Sequence, residues 1–382
     1  MQLKLEKREQ VEDLARGLTV LGTGGGGQPE KGLKTVLSEL DDGKTIALIG
    51  ASDLADDEWV ACVWLMGTIY HASSKRKDEM KIFGLESPKY TTKAYLAKAV
   101  KELEQFTGKK IRAIIPPELG GENTLTAIAT ASYLGLSVVD GDYVGRAAPE
   151  ITQNTPTIGG KSLCPISCVD AWGNICMITE VYNQLMAERI GKFLSVAAFG
   201  LVGQCGWLMK GSEAKTIIVP GTISRSLEIG RAIRLARETG NNPIKELTHI
   251  LNGWILFEGT VVRVEAEDRE GYYWGNYILQ GLDKWEGETF KVWFKNENHI
   301  TWKNGTPYVT SPDIITSVDL KTGEPITNAD IGVGAKVAVI GAPAVDLFRT
   351  PRGIELMGPN HFGFPFEYTP IELLMARETH QE

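Results

Sequence analysis

The chain opens on apolar residues at helical spacing: Leu5, Val11, Leu14, Leu18 and Leu21 stand among charged residues, which predicts a helix over 5–21. A glycine-rich break follows, and Pro29 with Glu30 suits the first turn of a second helix that Asp41, Asp42 and Gly43 close. Two runs with few polar positions, 45–50 (TIALIG) and 59–67 (WVACVWLMG), predict buried strands, and 91–108 predicts a helix. Next comes a unit of strand 111–118, helix 123–135 and strand 136–142. Short apolar strands alternating with helices imply a parallel or mixed sheet with its sites beyond the carboxyl ends of the strands, where Glu118 and Asp142 fall.

After Glu150 the pattern changes. SLCPISCVDAWGNICMITE predicts a β-hairpin turning at Ala171 to Asn174, and two helices are expected over 181–199 and 224–239. From Leu256 onward the sequence is strand and turn. The expected architecture is α/β plus β: an N-terminal α/β domain with a mixed sheet over 1–252, then a β-rich C-terminal domain over 253–382. The last segment, GPNHFGFPFEY, is placed to return to the first domain.

Composition narrows the class. With 43% hydrophobic and 23% charged residues in 382, the chain can bury two cores and should fold throughout. The net charge is −8, and the densest basic run, Lys75-Arg76-Lys77, is followed at once by Asp78 and Glu79, which argues against a nucleic-acid partner. The longest nearly apolar run, Phe193 to Gly203, falls short of the roughly 20 residues that span a bilayer. The expectation is a cytoplasmic protein with no membrane segment. Five cysteines, an odd number, predict reduced thiols.

Four segments carry candidate chemistry. In LGTGGGGQPE, Gly22, Gly24 and Gly27 have the spacing of a dinucleotide fingerprint, but a helix precedes them where a strand is needed, and no Lys-Ser/Thr closes the loop. No nucleotide is expected. Gly24, Gly25, Gly26 and Gly27 instead form a turn whose bare amides suit a substrate oxygen or another loop of the site, or form a tight turn alone. PPELGGENT brings Glu118 and Asn123 to a strand end, either facing a site or capping the next helix. DGDYVGRAAPE gathers Asp140, Asp142, Arg146 and Glu150, with Asp142 the leading general base or metal ligand and an ion-pair network the alternative. Cys164 and Cys168, His71 and His361 are candidate metal ligands against the plainer reading of small core thiols and loop histidines. In FKNENH, Asn296, Glu297 and Asn298 need a turn, an edge or a polar partner.

LGTGGGGQP, GGEN, DGDYVGRAAPE, WGN, PGTISRSLEIGRAI, NEN, PDIITSVDLKTGEPI and RTPRGIELMGP followed by FGF together resemble the S-methyl thiohydantoin desulfurase family, in order over residues 8–370. The resemblance implies an α/β domain followed by a β-rich one. The implied activity is hydrolysis in which water attacks the ring carbon bearing S-methyl and methanethiol leaves a hydantoin. It carries over Gly24 to Gly27, Asn123, Asp142, Arg146, Glu150, Asp170 and Glu297 as motif positions. Lys161, Cys164, Cys168, His361 and the stretch MGTIYHASS depart from the family pattern, either tuning the pocket or supplying metal ligands.

The expected function is therefore a metal-assisted hydrolase of a hydantoin-like ring. Its expected cofactor is a divalent metal, zinc above all, and its expected partners are a small ring substrate and further copies of itself. The alternative is a non-catalytic partner of a hydantoinase-type enzyme.

Overall fold

The computed structural model describes residues 3–67 and 74–379. Its first helix, Arg8–Leu21, buries Val11, Leu14, Leu18 and Leu21. Leu5 is not part of it, because Leu3–Leu5 pairs antiparallel with the strand Ile46–Ile49 and buries Leu5 from there. The second helix, Pro29–Asp41, starts with proline at its first position, where the missing N–H removes no helical hydrogen bond. The first helix then crosses helix Thr222–Thr239 at backbone contact: a Cβ on Gly17 would lie 1.7 Å from the Ser226 carbonyl oxygen.

These helices flank an eight-stranded mixed sheet. Its spatial order is Leu3–Leu5, Ile46–Ile49, Ser137–Val139, Ile111–Ile115, Trp59–Gly67, Leu201–Lys210, Ile166–Asp170 and Ile175–Ile178. The four inner strands from Ile46–Ile49 to Trp59–Gly67 are joined by three parallel pairings, and the strands on both sides of them join antiparallel. Leu201–Lys210 escapes the sequence pattern because it carries Gly203 and Gly206. It is nonetheless a central strand with Val202, Cys205, Trp207 and Met209 buried.

The second sheet is antiparallel throughout and seven-stranded, in the order Thr306–Thr310, Glu297–Lys303, Thr289–Lys295, Tyr272–Gly281, Trp254–Arg269, Lys336–Ala342 and Ile314–Asp319. Phe257, Phe290, Phe294 and Tyr277 fill its concave side. Asn296 is the apex of a tight hairpin between Lys295 and Glu297, with φ of 57°, a conformation asparagine tolerates better than most residues. No helix among the described residues is long and apolar enough to cross a membrane, and all five cysteines are free.

A buried arginine joins the two sheets. Arg146 donates from Nε to the Ala147 carbonyl at 3.0 Å, from Nη1 to those of Pro312 and Asp313 at 3.4 and 2.9 Å, and from Nη2 to Thr23 Oγ1 and the Asn298 carbonyl at 2.9 and 2.8 Å. Arg146→Met should lower the unfolding free energy by about 4 kcal/mol, because it strands buried carbonyls that methionine cannot satisfy. Chemical denaturation measures this, and a loss below about 1 kcal/mol would deny the arginine its joining role.

Candidate functional site

Where the glycine turn meets the Asn296 hairpin, the two domains share polar atoms. Gly26 N–H donates to Glu297 Oε1 at 3.1 Å, Asn298 N–H donates to the Thr23 carbonyl at 2.7 Å, and Asn328 N–H donates to that of Gly24 at 2.7 Å. The glycines are needed for closeness as well as for conformation. A Cβ on Gly25 would lie 2.0 Å from Glu297 Oε1, and one on Gly26, whose φ is +79°, would lie 2.5 Å from the Gly120 Cα. The loop's donor thus serves a carboxyl of the protein's own second domain.

Glu118, just beyond the strand Ile111–Ile115, accepts from Asn123 Nδ2 at 2.8 Å and from Ala148 N–H at 2.7 Å. Asn123 therefore positions a carboxylate and does not cap its helix; Glu122 holds the cap position. Burial pushes the Glu118 carboxyl up, while those two donors and the charge of Arg146 pull it back down. Glu297 is also buried. That burial and the neighbouring charge of Glu118 raise its carboxyl well above the ordinary range, against Arg146 and the Gly26 N–H. Its Oε2 is buried without a hydrogen-bond partner. In these unequal surroundings Glu297 is raised further than Glu118.

A ring of charge surrounds this pair. Glu150 pairs with Lys295 Nζ through Oε1 and with His361 Nε2 at 3.0 Å through Oε2. Glu188 accepts from the Tyr272 hydroxyl at 2.9 Å and from Ile151 N–H at 2.8 Å. The Lys192 and Lys295 ammonium groups lie 4.5 and 4.1 Å from the centroid of the Tyr272 ring. Burial lowers Lys192 despite the charge of Glu188 nearby, and it raises Tyr272 with help from the same glutamate. Beside Lys295, the outward face of the second sheet carries an open groove of about 380 Å³ that includes Trp274, Asn276 and Trp293.

Other expected residues take different roles. Asp142 is fully buried; its Oδ2 accepts from Val144 and Gly145 N–H at 2.8 Å each and its Oδ1 from Thr222 Oγ1 at 2.8 Å. Burial moves it up to about 7, against those three donors, yet it has no open side toward a water. It closes a turn, with both carboxylate oxygens taken by donors of the protein. Arg146 has all its donors engaged by protein, so it joins domains and does not face a substrate. Asp170 likewise closes the hairpin turn, accepting from Trp172, Gly173 and Asn174. Lys161 pairs with Glu213 at 2.9 Å.

The expected zinc ligands do not fit a metal. Cys168 lies in an apolar cluster with Trp64 and Ile166, burial pushes its thiol up to about 12, and its Sγ accepts from Gln204 Nε2 at 3.1 Å. Cys164 packs against that cluster, whereas His361 is engaged by Glu150. No three His, Cys, Asp or Glu side chains are grouped to hold a metal ion among the described residues. His71 lies outside the described residues.

Sequence reasoning missed Glu188, Lys192, Tyr272, Lys295 and His299. The helix Gln184–Ala197 places Glu188 and Lys192 one turn apart, the one local signal available for any of them.

The Glu150 carboxyl sits near 2 instead of the ordinary 4.5: burial alone would raise it, but the His361 hydrogen bond and the Lys295 charge outweigh that. A depressed carboxyl stabilises the fold fully above about 4.5, and that stabilisation is lost as the pH falls from there toward 2. Glu150→Gln should therefore cost about 3 kcal/mol at pH 7 and weaken the loss of stability between pH 4.5 and 2. Urea unfolding across that range is the measurement, and identical pH dependence in both proteins would contradict the pairing.

Residues 9–180 match the N-terminal domain, and residues 182–371 the C-terminal domain, of the S-Me-THD-like proteins. The two matches meet inside the α/β part, since Leu201–Lys210 still belongs to its sheet. No curated protein matches the sequence. The crystal structure of a protein from Chromobacterium violaceum is similar in fold, with a TM-score of 0.78 over 97% of this chain and 100% of that one at 20% identity. With both domain matches in order along nearly its whole length, the chain belongs to the S-Me-THD-like family.

Proposed function

We propose that the protein is a hydrolase of a hydantoin-like ring, and specifically that it removes methanethiol from an S-methyl thiohydantoin to leave the hydantoin. The observation that carries this is the Glu297 carboxyl, raised well above the ordinary range by burial and by Glu118, with one oxygen held by Gly26 and the other free of any partner. Such a group is an acid at neutral pH.

In this reading Glu297 gives its proton to the ring nitrogen doubly bonded to the S-methyl carbon, which makes that carbon electrophilic. Glu118, held by Asn123 and Ala148, takes a proton from the attacking water as the new C–O bond forms. The tetrahedral carbon then collapses: its oxygen becomes the carbonyl, the C–S bond breaks, and the sulfur leaves as methanethiol with the proton held by Glu118. The ring nitrogen keeps the proton from Glu297, and the second hydroxyl proton restores the acid. Atoms balance as substrate plus one water giving hydantoin plus one methanethiol. A location in the cytoplasm agrees with five unpaired cysteines.

Incubation with an S-methyl thiohydantoin should release methanethiol, read with a thiol reagent, and absence of release from folded protein would remove the desulfurase assignment. Glu297→Gln should lower kcat by about 10²-fold or more. Asp142→Asn should leave kcat within about threefold, because an asparagine can keep accepting from the same backbone N–H groups. A hundredfold loss in that variant would restore Asp142 to the chemistry.

A further inference from the structure

Strand Glu297–Lys303 carries, beside Glu297 Oε2 and Asn298 Oδ1, a third buried polar atom with no partner, His299 Nε2. The pairing with Thr289–Lys295 slips here: Asn298 faces Phe294 and Ile300 faces Trp293, which leaves His299 as the extra residue of a β-bulge. Bulges re-aim side chains and gather near active sites. This one turns the imidazole outward, where its ring centroid lies 6.2 Å from Trp293 and 4.0 Å from Phe362. Glu297 shares that side, since it pairs with Lys295, two residues beyond Trp293 on the neighbouring strand. Asn298 points the other way, donating to the Ile315 carbonyl at 3.1 Å.

The proton on His299 can be located. Ser311 Oγ donates its one proton to the Met357 carbonyl at 2.7 Å, so at its 3.1 Å contact with His299 Nδ1 it must accept. Nδ1 therefore carries the hydrogen and Nε2 is a bare acceptor. Burial and the nearby charges of Arg146, Lys295 and His361 hold the imidazole well below its ordinary range, against a contact of the ring with the Lys295 backbone. A buried acceptor left unmade is destabilising, and each such atom in a native protein calls for a role.

We infer that His299 Nε2 accepts the N–H of the ring substrate while Glu297 Oε2 engages the other ring nitrogen, so that His299 makes an unsubstituted ring nitrogen a condition of binding. The inference rests on the hydantoin-like substrate proposed above and adds the recognition of its N–C–N edge. Residues two apart on a strand stand about 7 Å from each other, a span of the order filled by a five-membered ring with a hydrogen bond of about 2.9 Å on each side. Phe362 is half-buried and lies directly on the imidazole, so the turn Pro359–Phe362 is the layer between His299 and solvent. Displacing it opens the acceptor to a ring arriving from outside.

Calorimetric titration with hydantoin and its two mono-N-methyl derivatives tests this without requiring turnover. Hydantoin should bind, and methylation of one nitrogen should weaken binding by at least about tenfold, since a site built around a hydrogen bond rejects the ligand lacking it. His299→Gln, which keeps an acceptor, should retain most of the discrimination, and His299→Phe should abolish it. Should the phenylalanine variant fail to fold, the nitrogen-15 resonance of Nε2 in the unaltered protein decides: it moves on adding hydantoin and not on adding the disfavoured derivative. Equal affinity for all three ligands, no binding of any of them, or an unmoved resonance would overturn the inference. Discrimination without methanethiol release would leave it standing and sink only the desulfurase assignment.

Discussion

A single guanidinium holds the arrangement together. Every N–H of Arg146 is used, on acceptors from the glycine turn, from the strand after Asn296, from the cis Ser311-Pro312 region and from its own loop. Burial lowers its pKa to about 10, against the opposing charges of Glu297, Asp313 and Glu118, so it stays cationic at neutral pH. A fixed buried cation has two effects. It ties the glycine turn and its own loop to the second sheet, beside an apolar core to which both sheets contribute, and it sets the electrostatic level against which both buried glutamates are balanced.

That balance separates Glu118 from Glu297. Glu118 has a donor on each oxygen; Glu297 has one donor on one oxygen and none on the other. The same residue type is therefore raised to different extents by its neighbours, Glu297 more than Glu118. The outer groups, Glu150 with Lys295 and His361 and Glu188 with Tyr272, are paired among themselves, whereas Glu297 Oε2, Asn298 Oδ1 and His299 Nε2 on one strand are buried without partners.

Much of the fold was legible because it was written locally. The strand Trp59–Gly67 and the proline-started second helix are recoverable from period and caps alone. The site was less legible, for a physical reason. Asp140, Asp142 and Asp170 stood out because Asp and Gly cluster in DGDYVG and VDAWG, yet all three carboxylates accept backbone N–H groups: Asp140 at the start of helix Thr222–Thr239, the other two in turns. Turn chemistry and catalytic chemistry use the same residue types, and spacing does not separate them. Lys192, Tyr272, Lys295 and His299 carry no motif of their own, because they come together only when a helix of one domain meets strands of the other. The glycine turn was expected to offer backbone donors to a substrate oxygen or another loop; the donor at Gly26 meets a glutamate 271 residues away in sequence.

The closeness of Gly25 and Gly26 to Glu297 and Gly120 bears on how the family can diversify. On that wall there is no room for a larger side chain, so the inner boundary of the site is fixed in shape by backbone. Variation in shape falls instead to the side where His361, Phe362, Phe364 and the two tryptophans Trp274 and Trp293 stand, since these are side chains and not main chain.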